Sequence, residues 1–203
     1  MKEESHRRSS DINARIATRV SDLRAAEGLS LDALAEKCGV SRSMLSLIER
    51  GESSPTAVVL DRIATGLNVT LASLFEDLRA PVEPLSRAAD RTTWKDPQTG
   101  YLRRNISPAN FPTPIQIVEV TLPAGARVAY ETAARDAVIH QQIWMQEGTI
   151  EFTLGKHTYR LSEDDCLAMT LDAHTAFHNP MRKRARYIVV LVNDALRGRR
   201  SHV

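Results

Sequence analysis

The sequence predicts a two-domain chain in which an all-helical N-terminal unit precedes an all-β C-terminal unit. Three observations carry that prediction. Through residues 11–78 apolar side chains recur every three or four positions, the period of a helix with one buried face. From Trp94 onward that period gives way to short β-branched and aromatic runs separated by turn residues, which places the β unit at residues 94–195. Between them, residues 79–93 hold prolines, alanines and charges with no amphipathic period, the composition of an exposed linker.

A chain of 203 residues, 42% apolar and 26% charged, has room for two small domains that each bury a core. Its two cysteines cannot make a disulfide framework, and no apolar run approaches the roughly 20 residues a membrane span needs. The first residues carry charges with no apolar stretch after them, so the expectation is a cytoplasmic protein. The net charge of +2 divides unevenly: residues 1–78 hold 10 Lys+Arg and 12 Asp+Glu, and residues 79–203 hold 17 and 13. A helical unit of net charge −2 has no bulk basic field, so any contact it makes with nucleic acid must rest on locally placed arginines.

Ile12, Ile16, Val20 and Leu23 predict a first helix, capped at Asp11 and stopped at Gly28. Ser30 caps a second, carrying Leu31, Leu34, Ala35 and Cys38 and ending at Gly39; on that stripe Cys38 reads as a small core hydrophobe. Ser41 caps a third, with Leu45 and Ile48 inward and Arg42, Ser43, Ser46, Glu49 and Arg50 left for solvent or a partner. Thr56 opens a fourth with Leu60, Ile63, Ala64 and Leu67 on one face, and Thr70 a fifth with Leu71, Leu74, Phe75 and Leu78. A small residue at Ala35, a glycine four positions on and a serine cap two beyond that suit two helices meeting steeply across a tight turn.

The run LAEKCGVSRSMLSLIERGESSPTAVVLDRIATGLNV resembles the Cro/repressor-type, or XRE-class, helix-turn-helix domain, a five-helix lambda-repressor-like bundle. The resemblance implies that the third helix lies in the DNA major groove, with Arg42 and Ser43 at the main base-reading positions and Ser46 and Leu47 one turn on. It places Ser30, Ser41 and Arg50 at phosphates and pairs Arg24 with Glu49 across the first and third helices.

In the C-terminal unit, strands are expected at residues 101–106, 115–122, 127–131, 139–146, 149–154, 157–161, 166–170, 173–178 and 186–192, many short strands as in a sandwich or barrel. The segment EGTIEFTLGKHTYRLSEDDCLAMTLDAHTAFHNP resembles the second half of a cupin, the double-stranded β-helix or jelly-roll barrel, with Gly148, Asp165, Asn179 and Pro180 matching parts of its motifs. Metal-binding cupins supply two His and a Glu from the first motif and a His from the second. Here the Glu position falls on Gln141, the paired-His positions fall within residues 133–137, which contain no histidine, and the last His position falls on Thr175. No metal or other cofactor is therefore expected, the alternative being a non-standard site that uses His140 and His174.

His140, His174 and His178 are expected near the barrel mouth with Glu131, Gln141 and Thr175, as hydrogen-bonding groups of a metal-free ligand pocket. Asp136 is expected in a solvated loop there, and Cys166, at the head of CLAM, in the core. The basic clusters at 182–186 and 197–200 read as solvated surface. No nucleophile–base arrangement, phosphate loop or CxxC motif is present, so no catalytic residue is assigned. The combined expectation is a non-enzymatic transcriptional regulator, a repressor in the first instance. It would bind a double-stranded operator as a homodimer and take a small-molecule effector in its barrel. The alternative is a cupin metalloenzyme, epoxidase- or dioxygenase-like, with a vestigial helical unit.

Overall fold

The computed structural model describes residues 2–76, 81–131 and 138–193, with side chains from residue 12 to 192. The described residues form four α-helices followed by ten strands. Helix α1 (Lys2–Ala26) begins well before the expected cap, leaving Asp11 inside the helix; the preceding residues contain no Gly or Pro to stop it. Ile12, Ile16, Ala17 and Val20 are its buried stripe.

In α2 (Leu31–Cys38) the Ser30 hydroxyl accepts the Ala33 N–H at 3.1 Å. Gly39 ends the helix at φ +63°, its N–H donating to the Ala35 carbonyl at 2.9 Å, a left-handed conformation open to glycine at little cost. Helix α3 (Arg42–Glu49) is capped by Ser41 and buries Leu45 and Ile48. Thr56 caps α4 (Ala57–Gly66). At Gly66, a Cβ would lie 2.8 Å from the Cβ of Cys38, so glycine is what lets α4 approach α2 this closely. Cys38 is buried there as expected, and burial pushes its thiol pKa up.

The expected fifth helix is instead a 3₁₀ turn, Leu71–Phe75, so the bundle has four α-helices; Leu78 lies outside the described residues. Tertiary contacts account for the difference. The Asn105 side chain donates to the Ala72 carbonyl at 3.0 Å and Arg19 Nε to the Ser73 carbonyl at 3.1 Å, while the Glu76 N–H turns to Ser73. The carbonyls that would propagate an α-helix are already engaged. Within the expected linker, residues 81–92 include a 3₁₀ turn, Ala88–Asp90, and lead into β1 (Thr93–Lys95).

The remaining strands are β2 (Leu102–Asn105), β3 (Ile115–Leu122), β4 (Arg127–Tyr130), β5 (Ile139–Glu147), β6 (Ile150–Leu154), β7 (His157–Leu161), β8 (Cys166–Thr170), β9 (Thr175–His178) and β10 (Ala185–Asn193). They make two antiparallel sheets, β1-β2-β3-β10-β5-β8 and β4-β9-β6-β7. From β3 on, the chain alternates between sheets except at the β6–β7 hairpin, which is jelly-roll topology. Alternate residues fill the interior: Val118, Val120 and Leu122 from β3, Ile143 and Met145 from β5, and Tyr187, Val189 and Leu191 from β10. Phe177 stacks on Tyr187 at 5.5 Å and meets Phe152 edge-on at 4.8 Å. Cys166 is exposed on β8, not in the core, because Leu167 and Met169 are the more buried residues of that strand's alternation.

The motif residues Asn179 and Asp165 have structural work. Asn179 Nδ2 donates to the carbonyls of Leu122 (3.0 Å) and Lys183 (2.8 Å), and Asp165 Oδ2 accepts the Ser162 N–H at 2.7 Å.

The helical and β units share one continuous hydrophobic core. Phe75 packs 5.4 Å from Trp94, whose indole meets the Tyr101 ring edge-on at 5.8 Å. Gln116 on β3 donates to Ser73 Oγ (3.1 Å) and Glu76 Oε1 (2.9 Å). Asp96, 2% exposed between β1 and β2, accepts the N–H of Ala57, the first residue of α4, at 2.7 Å.

Candidate functional site

Helix α3 stands at the surface with its second face pinned. Arg24 of α1 reaches Glu49 through a bidentate pair, Nε to Oε1 at 2.6 Å and Nη2 to Oε2 at 2.8 Å, and its Nη1 donates to the Leu29 carbonyl at 2.8 Å. The pair expected between these two residues is thus present, with fork geometry that an arginine supplies and a lysine does not. It sets the rotation of α3 about its own axis, and so which side chains face outward. Arg24→Met is expected to cost about 2–3 kcal/mol in urea unfolding, since it leaves a mostly buried carboxylate unpaired, and Arg24→Lys is expected to recover only part of that.

The outward residues are Ser41, Arg42 and Ser43, all exposed, with Ser46 and Leu47 half-buried on the next turn and Arg50 exposed at the end. Ser41 Oγ accepts the Met44 N–H at 3.3 Å and lies 3.2 Å from Ser43 Oγ. Ser30, exposed, caps α2 on its own account. Two acidic residues absent from the expected set hold the arginines. Arg42 Nε lies 3.2 Å from Asp32 Oδ1. Arg50 donates to both oxygens of Glu52 at 2.9 Å and to Ser46 Oγ at 2.7 Å. The Arg50 guanidinium holds the Glu52 carboxyl below its ordinary pKa. These exposed pairs contribute little to stability, and any ligand of these arginines must displace them.

In the barrel, a cavity of about 80 Å³ lies between the two sheets and is lined in part by the helical unit. Gln141 and Thr175, both buried, and Glu131 line it. His140, His174 and His178 do not, which corrects their expected place. The reason is the two-residue period of a strand: with Ile139, Gln141 and Ile143 inward, His140 is outward. His174 is exposed ahead of β9, and His178 pairs across the outer face with Glu151 at 3.0 Å. Glu131 is joined to Arg62 of α4 at 2.6 Å, while Asp136 and residues 133–137 lie outside the described residues. Among the described residues no cluster of three His, Cys, Asp or Glu is arranged to hold a metal. Of the basic clusters, residues 182–184 are exposed, Arg186 pairs with Glu119 at 3.3 Å, and residues 197–200 lie outside the described residues.

The polar lining is supplied instead by Arg103, Tyr101, Tyr130 and Tyr187, with Asp61 and Thr70 contributed by the helical unit. Arg103 is 6% exposed, on the inner face of β2, with its guanidinium 5.7 Å over the Phe75 ring. Burial pushes the phenols of Tyr130 and Tyr187 well above the ordinary tyrosine pKa, with Arg103 pulling the other way, so both hydroxyls stay protonated. A sequence signal for Arg103 exists in YLRRN: strand alternation puts Tyr101 and Arg103 on one face, and an inward tyrosine carries the arginine in with it.

Comparison with known proteins bears mainly on the helical unit. The helix-turn-helix family profile matches residues 20–74. The HTH-type transcriptional regulator SutR of Escherichia coli (strain K12) is 52% identical over 60 residues, 30% of this chain and 34% of SutR. Control protein C.MunI of Mycoplasma sp is 33% identical over 69 residues, 34% of this chain and 93% of C.MunI. The match thus spans about a third of SutR but nearly all of C.MunI. Along the whole chain, the crystal structure of an HTH_3 family transcriptional regulator from Vibrio cholerae superposes with a TM-score of 0.74 at 26% identity, covering 91% of this chain and 98% of that one.

Proposed function

Because the chain belongs to the XRE-class helix-turn-helix family, we propose that it is a sequence-specific DNA-binding transcriptional regulator whose jelly-roll unit takes a small effector. The observation that carries the reading is the presentation of α3: an N-capped helix, held in rotation by Arg24–Glu49, that offers Arg42, Ser43 and Ser46 outward. Arg42 and Ser43 then read base edges, and Ser30, Ser41 and Arg50 hold phosphates. A single module makes too few contacts for tight specific binding. Action as a homodimer on half-sites about 34 Å apart is part of the proposal.

The test is selection of bound fragments from random genomic DNA followed by gel shift with the enriched sequence. Recovery of one repeated or palindromic site supports the reading; recovery of unenriched DNA, or none, overturns it. The phosphate assignments predict a different signature. Arg50→Ala is expected to weaken all sequences alike and to flatten the salt dependence by about one unit of slope. Glu52→Gln, which frees Arg50, is expected to do the reverse. Salt-titrated gel shifts read both.

A further inference from the structure

The cavity is lined by a buried guanidinium, that of Arg103. Arg103 forms no ion pair among the described residues and its Nε has no hydrogen-bond partner there, while the neighbouring Tyr101 hydroxyl lies beside the Tyr130 phenol. Burying a charge without a paired counter-charge is costly, and a buried guanidinium Nε–H without an acceptor adds to that cost. The Phe75 ring under the guanidinium offsets only part of that cost. Both residues line the same cavity, whose other walls include the apolar Val120, Ile139 and Leu191.

We infer that this cavity binds a small monoanionic organic carboxylate, its head group on Arg103 and Tyr101 and its body against the apolar walls. The charge count selects a monoanion. The lining holds one guanidinium, beside the carboxylates of Asp61 and Glu131, so it offers a counter-charge for a single negative charge at most. The volume of about 80 Å³ accommodates a short carbon chain.

The same site explains how occupancy would reach the DNA. Thr70, Leu71 and Asp61 of the helical unit form part of its wall, and Phe75 lies under the Arg103 guanidinium. Neutralising Arg103 changes what holds that wall, so the ligand favours one pose of the reading unit over another. This second half rests on the DNA-binding reading above.

The experiment uses the full chain and four probes: propionate and butyrate, and their uncharged analogues propionamide and butyramide, all at matched ionic strength. The acids are expected to raise the thermal unfolding midpoint by several degrees and the amides not to. Arg103→Met is expected to abolish the response. Tyr101→Phe, which keeps the ring packing on Trp94, is expected to weaken it by about tenfold in Kd, the loss of one hydrogen bond to a charged group. If Arg103→Met fails to fold, Tyr101→Phe carries the test. Equal shifts from acids and amides, no shift from either acid, or an unchanged response in the variants would overturn the carboxylate site.

Gel shifts on the selected DNA with and without butyrate separate the two claims. A wild-type protein that binds no DNA either with or without butyrate sinks the regulator reading and leaves the thermal result standing. A protein that binds butyrate with unchanged DNA affinity refutes the coupling alone.

Discussion

Arg42→Ala is expected to reduce discrimination at one or two operator base pairs by roughly 5- to 150-fold, the equivalent of about 1–3 kcal/mol for a bidentate arginine–guanine contact. Affinity for unrelated DNA should hardly change. The free protein gives the reason for expecting so clean a separation. Arg42 is exposed, and its one ion pair, with Asp32 at 3.2 Å, joins two exposed side chains. Its loss therefore leaves the fold intact, and the unfolding midpoint should stay within about a degree of wild type. Competitive gel shifts against operators carrying each single base change measure the effect. Sequence preference that survives the substitution would mean that α3 does not dock as proposed.

The largest effect on stability is expected at Asp96. Its Oδ1 accepts the first N–H of α4, and its Oδ2 accepts the backbone N–H and the hydroxyl of Thr99, both at 2.6 Å. Asp96→Ala removes three charge-assisted bonds at once and strands the Ala57 N–H in a place water does not reach. The cost is about 3–5 kcal/mol. For a chain of this size that corresponds to a fall of roughly 6–20 °C in the unfolding midpoint. Asp96→Asn keeps one acceptor and should fall between the two. Differential scanning calorimetry reads all three proteins, and a midpoint for Asp96→Ala within about 2 °C of wild type would show that this junction does not hold α4 to the barrel.

Much of the fold was legible because its signals are local. Serine and threonine caps at Ser30, Ser41 and Thr56 stand where the helices begin, and a helix start is decided by a few neighbouring residues. The strands from β3 on follow turn residues and β-branched runs closely, with β3, β7 and β8 at their expected bounds. Where competing groups come from far along the chain, the reading failed. Thr70 promised another α-helix, but Asn105 and Arg19, distant in sequence, take the carbonyls that would have extended it.

The candidate sites divide the same way. The outward set on α3 follows from helical period and from the resemblance carried by a long motif. The barrel pocket follows only in part: Glu131, Gln141 and Thr175 of the expected set line the cavity, but the three histidines do not, because strand alternation decided which side chains point inward. Gln141 therefore lines the cavity and His140 does not.

From sequence alone come the two units, their helical and β character, the Arg24–Glu49 pair and the helix that offers Arg42. All of these depend on short-range periodicity or on a recognisable motif. Only the tertiary structure decides that the units share one core, that Asp96 caps a helix 39 residues before it, and that Arg103 is buried with no ion pair among the described residues, beside a wall the helical unit supplies. Those are consequences of packing, in which a side chain's environment is set by elements far along the chain, and no local pattern encodes them.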